Sequence, residues 1–376
     1  MAASAAVDVR DGQPAPDWRA LIDAACAGEG LTSAYQPIVD VARGVTVGYE
    51  ALARFAGPER NPEVWFTVAR TLGRHGELEA AALRSALRAR DALPPNCFLT
   101  LNVSPDLLVD EHVRAVWREQ GDLGGLVVEL TEQAPITSYG ALEGDLAALR
   151  AAGALIAVDD AGAGYAGLRH LLVLRPSIIK LDRALVSDVD LDEAKLALVE
   201  MVGTFAGRVD AWLLAEGVER TGELEALAAL GVPLVQGYLL ARPGPAWPAL
   251  DPDVALRLVT RGAAPRTDTV RDLLEHVPTT RSVDDAAAYF ATDHTHTVVL
   301  VDEYDHPQAV YTPDLLHFGV VERGMRINID TPVRDALSRA VTRDPARRYE
   351  PLLGTDAAGR FLGVLRLERL IRAALA

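Results

Sequence analysis

A chain of 376 residues, 49% hydrophobic and 24% charged, is long enough for a barrel-sized domain plus a smaller one and describes a globular protein with a substantial core. Its net charge of −16 excludes a long nucleic-acid polymer as partner, because no basic stripe is available to neutralise many phosphates. A small anionic ligand stays open if metal ions supply positive charge locally.

Residues 1–17 are rich in Ala, Asp and Pro with no apolar core segment, so they predict a flexible tail rather than a signal peptide. No run approaches the roughly 18 apolar residues of a membrane span. Cys26 and Cys97 make no disulfide framework and suit a reducing compartment. The expectation is a soluble, cytoplasmic protein with no membrane partner.

From Leu31 onward eight strand-like runs follow: Ala34–Val39, Val45–Arg54, Cys97–Val103, Leu126–Thr131, Leu155–Asp160, Ile178–Asp182, Trp212–Glu216 and Leu234–Leu240. Helical stretches such as Asp106–Glu119, Tyr139–Ala152, Leu191–Ala206 and Gly222–Leu230 separate the later ones. Strand–helix alternation of this kind predicts an α/β fold, a (β/α)8 TIM-type barrel. Only Asp40–Gly44 separates the first two runs, so they form a hairpin and one barrel strand runs antiparallel to its neighbour.

The polar residues then fall into place. Glu50 lies in the second run, Asn102 ends the third and Glu129 is late in the fourth. Asp159 and Asp160 end the fifth, Lys180 the sixth and Glu216 the seventh, and Gln236 lies in the eighth. A parallel barrel brings these strand ends to one face. Each acid alone has an ordinary explanation as a helix cap or a solvated turn; their recurrence on successive strands is the signal. Adjacent like charges at Asp159 and Asp160 want a cation, and hard oxygen ligands suit Mg²⁺ or Mn²⁺. Carboxylates plus an amide oxygen can hold one or two such ions, and Lys180 can steer a water or an anionic oxygen. This points to a metal-dependent hydrolase acting on a phosphorylated substrate. Gly162-x-Gly164-x-x-Gly167 followed by Asp182 also fits a dinucleotide-binding fingerprint. Two aspartates facing a pyrophosphate, and a short Leu168–Leu174 stretch where a crossover helix is needed, argue against it.

Tyr35-Gln36-Pro37-Ile38-Val39, Glu50-Ala51-Leu52-Ala53-Arg54, Leu101-Asn102-Val103-Ser104, Glu129-Leu130-Thr131-Glu132, Asp159-Asp160, Lys180-Leu181-Asp182, Ala215-Glu216-Gly217-Val218-Glu219 and Gln236-Gly237-Tyr238 together resemble the EAL-domain family of cyclic-di-GMP phosphodiesterases. The resemblance covers about residues 31–245, in the family's order, within a domain drawn at 18–245. It implies two Mg²⁺ or Mn²⁺ ions and hydrolysis of cyclic-di-GMP to linear pGpG. It further implies that Glu50, Asn102, Glu129 and Asp159 ligate the first ion, and that Asp159, shared with the second, is joined there by Asp160 and Glu216. Lys180 would hold the attacking water or the attacked phosphate, and with Glu50, Asp159 and Asp160 makes the catalytic set. Gln236 would anchor a water on the metal; Gln36, Arg54 and Asp182 would bind substrate, Arg54 with a fork suited to phosphate. Glu132 and Glu219 would support the ligands. The competing reading is a receptor of the same family that holds cyclic-di-GMP, or a protein partner, without turnover. Degenerate receptors usually lose metal ligands; this chain keeps them.

After the two aspartates the family usually carries Phe-Gly-Thr-Gly-Tyr-Ser-Ser. Here the loop is Ala161-Gly162-Ala163-Gly164-Tyr165-Ala166-Gly167, without the aromatic packer and three hydroxyls. The family ties this loop to the second metal and to a homodimer contact. Beyond it, prolines mark 246–265 as a linker. Thr269–His317 and Thr331–Leu375 then resemble one another, each opening on Thr-Val-Arg-Asp or Thr-Pro-Val-Arg-Asp into an amphipathic helix. That repeat over 266–376 resembles a CBS-domain pair, which implies a regulatory α+β domain and an adenine nucleotide as ligand. Thr312-x-Asp314 fits the ribose position in one half, whereas Leu367-Glu368 stands there in the other. His294 and His296 have no third ligand beside them and read as ordinary structural residues.

Overall fold

The computed structural model describes residues 16–130, 139–159, 171, 173–209, 211–261, 269–292, 297–313, 324–343, 347, 349–356 and 359–375. Eight strands close a barrel in sequence order. They are β1 (Leu31–Asp40), β2 (Val45–Phe55), β3 (Phe98–Val103), β4 (Leu126–Leu130), β5 (Leu155–Val158), β6 (Ile178–Leu181), β7 (Trp212–Ala215) and β8 (Leu234–Val235). β1 is antiparallel to both β2 and β8, and every other neighbouring pair is parallel. The hairpin expected at Asp40–Gly44 is held by Asp40, whose Oδ1 accepts from Arg43 N at 2.9 Å and whose Oδ2 accepts from Arg43 Nε at 2.8 Å. Gly44 closes it at φ 64°, a backbone conformation that side chains resist.

The interior layers follow from the two-residue period of the strands. Val127, Ala157, Ile178, Leu214 and Leu234 point inward and, with Ile38 and Val47, fill the floor of the barrel. Two residues further along each strand the inward position is polar: Glu129, Asp159, Lys180, Glu216 and Gln236. The alternate residues, among them Val128, Ile156, Ile179 and Leu213, face the surrounding helices and join the main core. Helices α1 (Trp18–Cys26), α2 (Pro62–Thr71), α3 (His75–Leu87), α4 (Glu111–Gln120), α5 (Tyr139–Ala151), α6 (Arg183–Val186), α7 (Glu193–Val209) and α8 (Thr221–Ala229) supply that layer. Their starts carry ordinary capping chemistry: Asn61 precedes Pro62 at α2, and Asp110 accepts from His112 N at α4.

Two expectations need correction. The run Leu234–Leu240 is a strand only over Leu234–Val235, because the chain turns at Gly237, where a Cβ would lie 2.1 Å from the Val218 carbonyl oxygen. The stretch 246–265, read as a linker, contains helix α9 (Pro252–Arg261), whose Val254 and Leu258 enter the barrel's core cluster. Pro252 starts that helix rather than breaking one, since the first helical position needs no N–H donor.

The C-terminal residues form two three-stranded sheets. The first contains β9 (Thr279–Thr280), β10 (Val298–Val301) and β11 (Pro307–Tyr311); the second β12 (Arg326–Asn328), β13 (Leu352–Thr355) and β14 (Phe361–Leu365). In each, the first strand pairs parallel with the second and the second antiparallel with the third. The internal repeat is therefore real, but its phase differs from the expected one. Helix α10 (Val283–Thr292), not the Thr269-Val270-Arg271-Asp272 segment, is the counterpart of α11 (Val333–Val341). Val270 instead is buried among Ile327, Val333 and Leu365 of the second half, and Thr269 bridges to Pro332. A last helix, α12 (Leu367–Leu375), closes that half. His294, His296 and Asp314 lie outside the described residues, as does the tail over 1–15.

Candidate active site

At the carboxyl ends of the strands the inward polar residues converge on Lys180. Its ammonium forms ion pairs with Glu129 and Glu216 and lies 3.8 Å from Glu50 Oε1 and 3.9 Å from Asp159 Oδ1. Lys180 is 1% exposed and Glu129 is fully buried. Burial pulls the ammonium down, but Glu129, Glu50 and Asp159 outweigh it, so Lys180 stays protonated well above the ordinary lysine range. Burial pushes the Glu129 carboxyl up, Lys180 opposes that, and the charges of Glu50 and Asp159 add to it.

The neutral amides are locked into the same cluster. Asn102 Nδ2 donates to Glu50 Oε1 at 2.8 Å, and Gln236 Nε2 donates to Glu50 Oε2 at 2.6 Å and to Gln36 Oε1 at 3.1 Å. Gln36 Nε2 in turn donates to the Ala241 carbonyl at 3.0 Å. These donors are turned toward Glu50, which leaves the amide oxygens of Asn102 and Gln236 as acceptors for something else.

The donor set fits a divalent cation. One ammonium contacts four carboxylates, so the cluster holds excess negative charge. Ligand atoms of Glu129, Asp159 and Glu216 lie within 4.8 Å of one another. Glu129 Oε2 and Gln236 Oε1 are buried oxygens that accept no hydrogen bond, an unfavourable state that a cation relieves. All of these donors are hard oxygens, the preference of Mg²⁺ and Mn²⁺.

Glu50, Asn102, Glu129, Asp159, Lys180, Glu216, Gln36 and Gln236 are thus brought together. Three other expected residues are engaged elsewhere. Arg54 Nη1 donates to the Ala53 carbonyl at 2.8 Å, Asp182 Oδ1 accepts from Ala184 N as the cap of α6, and Glu219 accepts from Arg183 Nη2 at 2.8 Å. Asp160, Glu132 and the loop 161–167 lie outside the described residues.

One residue the sequence reading missed is Glu79, on the buried face of α3 and 5% exposed. Its Oε1 accepts from Ser104 N at 2.5 Å, two residues past Asn102, and His75 Nε2 lies 3.7 Å from its Oε2. The signal was present: a carboxylate set inside the apolar run Leu78–Leu83 has no water to face. Burial pushes Glu79 up to about 7, against which the Ser104 hydrogen bonds pull it down. An acid raised on folding binds more protons in the native state, so its contribution to stability is fullest below the unfolded carboxylate range and fades as pH climbs to about 7. Glu79→Gln should therefore flatten the fall of the unfolding midpoint between pH 5 and pH 8, a difference on the order of 2–3 kcal/mol. Parallel midpoint curves for the two proteins would contradict this.

The profile of the EAL domain family matches residues 19–243, more than half of the chain. Over 224 residues the chain is 30% identical to the bifunctional diguanylate cyclase/cyclic di-GMP phosphodiesterase MucR of Pseudomonas aeruginosa, a match to 56% of this chain and 33% of that protein. The PaMucR phosphodiesterase in complex with c-di-GMP superposes with a TM-score of 0.55 at 28% identity, covering 61% of this chain and 98% of that one. BlrP1 of Klebsiella pneumoniae, solved as a manganese/cy-diGMP complex, gives a TM-score of 0.51 at 30% identity over 58% of this chain and 57% of that one. The matched region spans only 27–37% of the length of the first curated relatives. The closed eight-stranded barrel with one antiparallel strand, the acidic cluster at its mouth and this match agree: the chain belongs to the EAL domain family.

Proposed function

We propose that this chain is a cytoplasmic, metal-dependent phosphodiesterase that hydrolyses cyclic-di-GMP to linear pGpG. The observation that carries the reading is the meeting of Glu50, Glu129, Asp159 and Glu216, from four different strands, around Lys180, with Asn102 of a fifth joined to Glu50. Glu50, Asn102, Glu129 and Asp159 would hold one Mg²⁺ or Mn²⁺ ion, and Asp159, with Asp160 and Glu216 directly or through water, would hold a second. When bound, the ions make water acidic enough to attack at neutral pH and offset charge on the phosphate.

The chain's own residues do the rest. Lys180 places its ammonium where negative charge builds on the attacked phosphate. Gln236, held by Glu50 and Gln36, orients a water beside the carboxylates. Arg54, released from the Ala53 carbonyl, matches a phosphate edge with its planar fork, and Gln36 and Asp182 line the substrate path. Because pGpG keeps its 5′-phosphate, the 3′-oxygen leaves and takes up a proton. Glu219, paired with Arg183, braces the loop after β7, and Glu132 would play a supporting part. The protein acts as a homodimer, and the C-terminal repeat works as a CBS-type regulatory pair that takes an adenine nucleotide.

The loop 161–167 sets the metal requirement. Its three glycines make ordering costly in entropy, and Ala163 and Ala166 offer no hydroxyl. A metal that needs this loop ordered binds with apparent affinity reduced by the competent fraction. The expected result is hydrolysis that requires abundant metal, with Mn²⁺ better than Mg²⁺, and an Asp160→Asn variant that requires still more. A metal titration of pGpG formation checks both. Full activity in trace Mg²⁺ contradicts the loop argument, and tight cyclic-di-GMP binding with no product favours the receptor.

A further inference from the structure

Among the described residues, the C-terminal repeat touches the barrel at one end. His306, 2% exposed, lies against Gly153, where a Cβ would sit 2.3 Å from the His306 Cε1 and 3.1 Å from Gly124 N. On its other side the same ring faces Gly359, at 3.4 Å from that residue's Cβ position. The guanidinium of Arg339 stacks over Trp212, 4.7 Å from the ring centre. Thr342 Oγ1, which donates to the Arg339 carbonyl at 2.9 Å, lies 3.5 Å from the Gly207 carbonyl oxygen, and Arg43 Nη1 lies 3.7 Å from Asp330 Oδ2.

The barrel partners have one thing in common. Gly153 precedes β5, Gly207 and Trp212 lie at the start of β7, and Arg43 precedes β2. All belong to the floor, the end opposite the carboxylates. A strand rises roughly 3.3 Å per residue, so Leu155 and Asp159 are about 13 Å apart along β5, as are Trp212 and Glu216 along β7. Both strands are hydrogen-bonded on each side within the barrel, so a push at the start moves the strand as a unit. The glycine at position 153 matters here: with φ 99° and a side chain's space already filled by His306, the contact is backbone to ring, with no flexible atom to absorb a shift. Nor is the junction closed all round. An apolar cavity of about 380 Å³, lined by Val41, Leu224, Val254, Leu258 and Asp335, separates α11 from the barrel on one side. The contact is a patch that can separate.

We infer that the C-terminal domain is a floor clamp: docked through His306, Arg339 and Thr342, it holds the starts of β5 and β7 and so sets the positions of the Asp159 and Glu216 carboxylates relative to Glu129 at the mouth. This builds on the regulatory role proposed above and gives it a route. The regulatory signal enters through the barrel floor and leaves the substrate approach uncovered by any described residue of the C-terminal domain. A ligand that alters the C-terminal domain changes metal affinity, without touching the substrate.

A reversible lock tests this in the full chain. A Cβ on Gly207 would lie 3.9 Å from Thr342 Oγ1, so Gly207→Cys with Thr342→Cys should close a disulfide when the domain is docked. Cys26→Ser removes the more accessible native thiol; Cys97 is buried. Mild oxidation should give an intramolecular cross-link, read by mass and by gel mobility without reductant. Calorimetric titration with Mn²⁺ should then show at least about fivefold tighter binding for the locked than for the reduced form. Arg339→Glu, which opens the patch instead, should weaken Mn²⁺ binding. Failure to cross-link, or cross-linking only between chains, overturns the docking. A cross-link with Mn²⁺ affinity equal in both forms, and unchanged in Arg339→Glu, overturns the coupling. Neither readout involves turnover, so they stand apart from a failure to form pGpG, which overturns the phosphodiesterase reading alone.

Discussion

Glu50→Ala should lower turnover of cyclic-di-GMP by roughly 10²–10³-fold and leave a folded barrel. Glu50 is 7% exposed, so its removal could be expected to unfold the protein. Two effects of opposite sign argue otherwise. Loss of the carboxylate strips Asn102 Nδ2 and Gln236 Nε2 of an acceptor, and Gln236 keeps its bond to Gln36. A stranded buried donor costs about 1–3 kcal/mol. Against that, the repulsion of Glu50 on Glu129 disappears, although its attraction for the Lys180 ammonium 3.8 Å away is lost with it. The metal-free unfolding midpoint should therefore fall modestly with the transition still cooperative, whereas the rise in midpoint caused by Mn²⁺ should disappear with the activity. An inactive variant that still shows the full Mn²⁺-dependent rise would remove Glu50 from the ligand set. Unaltered turnover would remove it from the site.

The second large effect belongs to Lys180. Replacing it with Met keeps the stem and deletes the ammonium that contacts Glu50, Glu129, Asp159 and Glu216. Breaking a buried ion pair from one side typically costs about 3–5 kcal/mol. Part of this is recovered when Glu129, already pushed up by burial, takes a proton. Without metal, Lys180→Met should unfold several degrees earlier than the natural protein. With saturating Mn²⁺ much of that gap should close, because the cation takes over the neutralising role. Turnover should nevertheless stay low by about 100-fold, since a cation at the carboxylates does not replace a donor aimed at the attacked phosphate. Equal midpoints without metal would mean that Lys180 does not hold the cluster together.

Much of this site was legible because polar residues recur late in successive strand-like runs, which a parallel barrel gathers at one face, and the two-residue strand period gives the physical reason they meet. Once Val127 and Ile178 are read as floor, Glu129 and Lys180 two residues on must point inward at the next level. The same step carries Leu214 to Glu216 and Leu234 to Gln236. What periodicity cannot supply is the partner of each group. Lys180 read as a water or phosphate holder, and its ammonium is paired with Glu129 and Glu216. Arg54 and Asp182 read as substrate ligands, and their side chains are turned to nearby backbone. Long-range contacts were equally out of reach. Nothing local to Glu79 reveals that Ser104 is its donor, and nothing local to Gly153 announces His306. Proline density misled at 246–265, because Pro252 opens a helix as readily as it breaks one.

Incubating the purified 376-residue chain with cyclic-di-GMP and excess Mn²⁺, and following the nucleotides by chromatography, bears most directly on the carboxylate cluster. Linear pGpG should appear in step with the loss of cyclic-di-GMP, stop when a chelator is added and resume when Mn²⁺ is restored. Intact cyclic-di-GMP at saturating Mn²⁺, or product that forms equally well in chelator, would contradict a metal-dependent phosphodiesterase built on Glu50, Asn102, Glu129, Asp159 and Glu216.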